Sequence, residues 1–147
     1  MSQFLAMFNQ MGPEMFSKGI AQVAPYFSTI DPEVIDLKPG YCEVFLKNQK
    51  KVHNHLSTVH AIAMCNAAEL AGGMTTDVSI PTGARWIPQG MTVEYIAKAK
   101  TDLKVVCNAA DVNFSQPGKV IVTVDAFDTN DIKCFTADIT MNVKLAE

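Results

Sequence analysis

The chain has 147 residues, 48% of them hydrophobic and 18% charged, which is enough for one domain with a substantial apolar core. Its net charge of −3 at pH 7, with Arg85 as the only arginine and no basic stripe, argues against a nucleic-acid partner. The four cysteines match no zinc-binding spacing and the first residues lack a signal-peptide pattern, so we expect reduced thiols in a cytoplasmic protein.

Residues 1–24 are predicted to form an N-terminal helical segment. Large apolar side chains recur there at helical spacing, and Gly12-Pro13 should split the segment in two, because proline interrupts a helix. The opposite face is polar but not basic. We therefore expect the apolar face to pack on the domain's own core and not on a membrane. The apolar side chains are Phe4, Phe8, Met11, Met15 and Phe16.

Several β-strands are predicted from their boundaries and from alternating apolar residues. The segment 28–37 is weakly strand-like and broken by Asp31-Pro32, and a turn at Lys38-Pro39-Gly40 leads into a clearer strand. The last four strands follow one another through short turns, which predicts an antiparallel meander. The clearer strands span residues 41–47, 92–100, 103–111, 119–127 and 133–145.

A helix that is apolar on almost every side is predicted over residues 59–71. Ser57 or Thr58 should cap its start and Gly72-Gly73 should end it, so that the central helix lies within 57–73. Such a helix is normally buried on most sides, and we expect the antiparallel sheet to curl around it in an α+β fold. Glu69 is its only carboxylate, and burial there would require a partner or a functional use.

The spacing of Asn54, His60 and Glu69 is the feature that points to a function. An Asn or Gln, then a His six residues later and an Asp or Glu nine residues after that, resembles the motif of acyl-CoA thioesterases with the hotdog fold. The resemblance covers about residue 41 to the C-terminus, including the segment 88–93. The sequence is similar to the hotdog-fold thioesterase superfamily, in its PaaI-like and uncharacterised DUF4442-type branch, which implies a single hotdog domain over residues 1–147.

The same spacing predicts a site built from two chains. Nine residues of helix advance about 13.5 Å and about half a turn, so His60 and Glu69 of one chain cannot meet on one substrate. If both take part, the start of one helix must face Glu69 of a second copy. The resemblance to hotdog thioesterases implies the same arrangement, and we expect a homodimer, with a tetramer of two such dimers as an open alternative.

The resemblance implies hydrolysis of an acyl-CoA or acyl-carrier thioester. Asn54 would orient the thioester, the backbone N–H of Ala61 would polarise its carbonyl, and His60 would help to fix the helix start. Glu69 of the second chain would act as general base on water or as nucleophile. The histidines have no firm ligand geometry, so we expect neither a metal nor a cofactor.

Other interpretations of these residues stay open at this point. Ala61-Ile62 replace the Gly-Gly of active relatives and narrow the approach, so the chain could instead bind an acyl chain or acyl-CoA without cleaving it. Glu69 could be partly exposed near the helix end, and Asn54 could be a simple turn residue. Arg85 and Lys98 could hold CoA phosphates or be solvated surface charges.

Overall fold

The computed structural model describes all residues, 1–147, and has a mixed α+β architecture. Its six strands form one antiparallel sheet in the order β1-β2-β4-β5-β6-β3. The helices are α1 (Gln3–Met11), α2 (Pro13–Val23) and α3 (Ala61–Ser79), with 3-10 turns at Pro25–Ile30 and Lys50–Val52. The strands are β1 (Glu33–Lys38), β2 (Tyr41–Leu46), β3 (Arg85–Tyr95), β4 (Leu103–Asn108), β5 (Gly118–Phe127) and β6 (Lys133–Lys144).

The sheet wraps around α3, which confirms the predicted hotdog arrangement. All six strands contact this helix. The core is one cluster of 33 buried residues drawn from the helices and from the inward faces of the strands. No helix in the chain has the length and hydropathy needed to cross a membrane.

The predicted meander of four strands is wrong in one position. β4, β5 and β6 do follow one another as antiparallel neighbours, but β3 pairs with β6 and not with β4. β4 pairs with β2 on its other side, so β3 is left at the edge of the sheet. An edge position suits Pro88 and the register shift between Pro88 and Gly90, because proline cannot donate to a neighbouring strand. β3 also begins earlier than predicted, at Arg85.

The N-terminal segment consists of two helices that meet at Gly12, as predicted. Gly12 has a φ of 80°, which glycine adopts without strain, and Pro13 begins α2. Phe16 is fully buried, with the rings of Phe4 and Phe8 edge-on to it at centroid distances of 6.4 and 5.3 Å. The apolar face of both helices therefore packs on the domain's own core.

The central helix is longer than predicted and begins with a different cap. It runs from Ala61 to Ser79, and the N-cap is His60, while Ser57 and Thr58 lie in the preceding turn. Gly72 and Gly73 do not end it, and glycine suits both positions because neighbouring side chains approach the helix too closely for a Cβ. A Cβ at Gly72 would lie 3.0 Å from Ile139, and one at Gly73 would lie 2.8 Å from the Trp86 ring.

Candidate active site

The start of α3 opens onto a cleft of about 440 Å³, here called the helix-start cleft. Hydrogen bonds fix the chain on its rim: the Val59 N–H donates to the Ala99 carbonyl at 2.8 Å and the His60 N–H to the Val52 carbonyl at 2.7 Å. The cleft is therefore bounded by the helix start and by the end of β3 with the loop after it. Its lining residues are Asn54, Leu56, Thr58, Val59, Ala61, Met64, Tyr95, Ile96, Ala97, Lys98 and Ala99.

A free backbone donor lies in this cleft. The His60 Nδ1 accepts a hydrogen bond from the Ile62 N–H at 3.0 Å, which caps one of the first-turn donors. The N–H of Ala61 has no carbonyl one turn back within the helix to which it could donate. The positive end of the helix dipole lies at the same point. The Ala61 N–H can therefore donate to a carbonyl oxygen that develops negative charge.

Asn54 lines the same cleft, but most of its polar groups are used within its own turn. Its Oδ1 accepts from the N–H groups of Leu56 and Thr58 at 2.9 and 3.1 Å, and its Nδ2 donates to the Thr58 hydroxyl at 2.9 Å. Only one hydrogen on Nδ2 is left for a ligand. This geometry matches the open interpretation of Asn54 as a turn residue.

Glu69 lies on a second depression of about 340 Å³, the Glu69 cleft. The expectation that this carboxylate is buried is wrong for the single chain, because Glu69 is exposed and has no ion-pair partner. One face of α3 stays uncovered by the chain's own sheet, and Ile62 on that face is 57% exposed. The cleft is lined by Ala24, Pro25, Tyr26, Phe27, Ile62, Cys65, Asn66, Glu69 and Met91.

The residues predicted from the sequence thus fall into two groups within one chain. Asn54 and Ala61 share the helix-start cleft, and His60 caps the helix beside it, whereas Glu69 belongs to the other cleft. This separation agrees with the helix arithmetic, which placed His60 and Glu69 too far apart for one substrate.

The two predicted phosphate-binding cations are also separated. Lys98 is exposed and lines the helix-start cleft. Arg85 is exposed at the opposite end of β3, roughly 30 Å away along an extended strand. One chain therefore does not bring Arg85 and Lys98 to a common phosphate group.

Tyr95 and Cys65 are candidate site residues that sequence reasoning missed. The Tyr95 hydroxyl lies 3.9 Å from the Cys65 sulfur, and its ring packs against Phe135 at a centroid distance of 6.2 Å. Burial raises the pKa of Cys65, and the hydrogen bond with Cys65 raises the pKa of Tyr95. In the sequence, Tyr95 belongs to an alternating strand, and Cys65 precedes Glu69 by one helical turn. Nothing in the sequence indicated that these two side chains meet.

No group of three or more His, Cys, Asp or Glu side chains is arranged to hold a metal ion. The two clefts together present a carboxylate, a thiol, a backbone amide, and hydroxyl and amide side chains.

Comparison with known families identifies the chain. Residues 12–143 match the family described as DUF4442, a domain of unknown function. The chain belongs to the DUF4442 family. A crystal structure of a structural-genomics target is 49% identical to this DUF4442 chain, covers 98% of it and 97% of the target, and gives a TM-score of 0.90. No curated protein matches the DUF4442 chain significantly.

More distant structures share the fold of this DUF4442 chain. A thioesterase from Staphylococcus aureus, crystallised as a glutamine-to-alanine variant, is 13% identical over 82% of this chain and 98% of its own, with a TM-score of 0.72. A second variant of that protein has a glutamate replaced by alanine, 15 positions further along. A Streptococcus mutans protein bound to acetyl-CoA is 15% identical over 76% of this chain and 86% of its own, with a TM-score of 0.65. The DUF4442 chain therefore shares its fold with these structures.

Proposed function

We propose that the chain is a thioesterase that hydrolyses an acyl-CoA or acyl-carrier thioester at sites formed by two copies of the chain. The observation that carries the proposal is the pair of complementary groups at two places on α3. The Ala61 N–H is a free donor at the helix start, and Glu69 is an unpaired carboxylate about two turns further along an open face. Each group lacks its counterpart within its own chain.

The exposed surface around these groups suits a second copy. β3 is an edge strand whose outer N–H and C=O groups have no neighbour, and such an edge is a template for pairing. Ile62 and Tyr95 are each 57% exposed and Ile87 is 60% exposed, which is apolar surface that a partner would cover. A two-fold dimer then gives two identical sites, and further pairing into a tetramer is compatible with this arrangement.

The proposed chemistry uses one group from each copy. The thioester carbonyl oxygen accepts the Ala61 N–H, and the helix dipole stabilises the charge that develops on it. Glu69 of the second copy takes a proton from water as the water attacks the carbonyl carbon. The carbon–sulfur bond then breaks, and Glu69 returns the proton to the leaving sulfur. In the alternative path Glu69 attacks the carbonyl carbon directly, and water releases the acyl group in a second step.

The structural relatives support this assignment. In the Staphylococcus aureus thioesterase the two altered residues are 15 positions apart, which is the separation of Asn54 and Glu69 here. The Streptococcus mutans protein was crystallised with acetyl-CoA, which is a CoA thioester. Lys98, at the rim of the helix-start cleft, is the nearest candidate for a CoA phosphate, and Arg85 could serve only from another copy.

The test is release of free thiol from acyl-CoAs of increasing chain length and from acyl-carrier thioesters. Glu69→Gln should reduce kcat by roughly 100-fold or more, because a positioned general base contributes at least that much. Glu14→Gln is the matched control, since Glu14 is exposed on α2 and pairs only with Lys18. Equal activity of wild type and Glu69→Gln would remove Glu69 from the mechanism.

A second candidate function is binding of an acyl group or acyl-CoA without cleavage. The observation that favours it is Ile62, whose exposed side chain lines the Glu69 cleft where a glycine would leave room for the thioester. Acyl-CoA that binds stoichiometrically but is never released as free thiol would support this function. Multiple turnovers on any thioester would exclude it.

A further inference from the structure

The proposed site assigns only one hydrogen-bond donor to the thioester carbonyl oxygen. The inference that supplies a second donor rests on the proposed thioesterase function. Asn54 was expected to orient the thioester, but its oxygen and one amide hydrogen are already used by Leu56 and Thr58. The Ala61 N–H is then the one donor assigned to the carbonyl oxygen. Oxyanions in acyl transfer are usually stabilised by more than one donor.

Tyr95 is placed where a second donor would be useful. It lines the helix-start cleft together with Ala61, and its hydroxyl lies 3.9 Å from the sulfur of Cys65. Cys65 is four residues after Ala61, so the two lie one turn apart on the same face of α3. The Tyr95 hydroxyl therefore lies beside a side chain that is one helical turn from Ala61, in the cleft that Ala61 also lines.

The position of this hydroxyl is fixed by the surrounding structure. The Tyr95 ring packs against Phe135, which is fully buried. Just after Tyr95, the N–H groups of Ile96 and Ala97 both donate to the Cys134 carbonyl, at 2.8 and 3.2 Å, and hold the end of β3 to β6. The hydroxyl nevertheless remains reachable from the helix-start cleft, which Tyr95 lines.

We propose that the Tyr95 hydroxyl donates the second hydrogen bond to the thioester carbonyl oxygen, beside the Ala61 N–H. The Cys65 thiol donates to the Tyr95 oxygen in turn and orients its O–H toward the cleft. A tyrosine hydroxyl keeps its proton at neutral pH and can therefore act as a donor. No covalent bond forms to Tyr95, and the proton that leaves water still passes through Glu69 to the sulfur.

Steady-state kinetics of Tyr95→Phe on the best thioester substrate test this role. The variant keeps the ring against Phe135 and removes only the hydroxyl. We expect kcat to fall by roughly 100-fold, the usual effect of losing one oxyanion donor, while KM changes by less than about two-fold. Tyr41→Phe is the matched control, because the Tyr41 hydroxyl bonds to Glu43 on β2 away from both clefts.

The outcomes separate this inference from the function on which it rests. If wild type turns over and Glu69→Gln does not, but Tyr95→Phe retains wild-type kcat, the role of Tyr95 is overturned and the thioesterase stands. A rise in KM with unchanged kcat would also overturn it, because the hydroxyl would then hold only the ground state. An unchanged melting temperature of Tyr95→Phe shows that lost activity does not reflect lost folding. Absence of turnover in wild type on every thioester overturns both proposals.

Discussion

Gly73 lies in the middle of α3 directly under Trp86, and its replacement by alanine should destabilise the protein. A Cβ there would be 2.8 Å from the Trp86 ring. The ring cannot move freely, because its Nε1 donates to Asp77 at 3.1 Å and Asp77 also accepts from the Ser2 hydroxyl at 2.7 Å. Overpacking of this kind costs about 1–3 kcal/mol.

The helix itself would favour alanine, so the two effects have to be compared. Alanine in a helix interior is about 1 kcal/mol better than glycine. Gly73→Ala should therefore lower the free energy of unfolding by about 0–2 kcal/mol. Gly19 in α2 has no atom within 4 Å of an added Cβ, so Gly19→Ala should raise stability by about 1 kcal/mol instead.

Thermal and urea unfolding of the two variants measure this difference. For a chain of this size each kcal/mol moves Tm by about 2–4 °C, so Gly19→Ala should melt above wild type and Gly73→Ala at or below it. In a Trp86→Phe background, which removes the contacting ring atoms, the effect of Gly73→Ala should become more favourable. A rise in Tm for Gly73→Ala equal to that for Gly19→Ala would refute the argument that Trp86 requires glycine.

Three further predictions concern the clefts and a buried thiol. Ile62→Gly should raise kcat/KM by roughly tenfold if the side chain obstructs the thioester, measured as thiol release; an unchanged value would mean that Ile62 is no barrier. Tyr26→Ala removes an exposed aromatic wall of the Glu69 cleft and should shift the preferred acyl chain to a longer one; an identical chain-length profile would contradict this. Burial raises the pKa of Cys107 from 9.0 to about 11, so the unfolded chain loses this proton first and stability should fall as pH rises from 9 to 11. The loss should reach about 3 kcal/mol in urea unfolding, and Cys107→Ala should show a shallower pH dependence.

The wrapping of the sheet around α3 could be predicted from the apolar helix and the antiparallel strands around it in the sequence. A helix with apolar residues on nearly every side has to be buried, and too few residues are apolar in a row for it to span a membrane. The end of the helix could not be predicted in the same way. Gly72-Gly73 is a stop signal by local rules, but in the structure the two glycines leave room for Trp86 and Ile139 from distant strands, which the sequence does not reveal.

For a similar reason, only some features of the candidate site could be predicted from the sequence. The resemblance to the hotdog thioesterase motif indicated Asn54, Ala61 and Glu69. Helical geometry, which depends only on sequence separation, predicted that His60 and Glu69 of one chain lie apart. The exposure of Glu69 depends on which face of α3 the sheet leaves open, and that follows from the pairing of β3 with β6. Tyr95 was missed because its contact with Cys65 joins two elements whose relative register is set by that same pairing.

The pairing of β3 also determines when the site can form during folding. β3 comes before β4 and β5 in the chain, but its only partner within the chain is β6, the last strand. Long-range pairing of this kind closes a large loop and forms late, after the local hairpins between β4, β5 and β6. β3 contributes Tyr95 to one cleft and Met91 to the other. Neither cleft is complete until β3 pairs with β6, so we expect activity to appear only once this long-range pairing has formed.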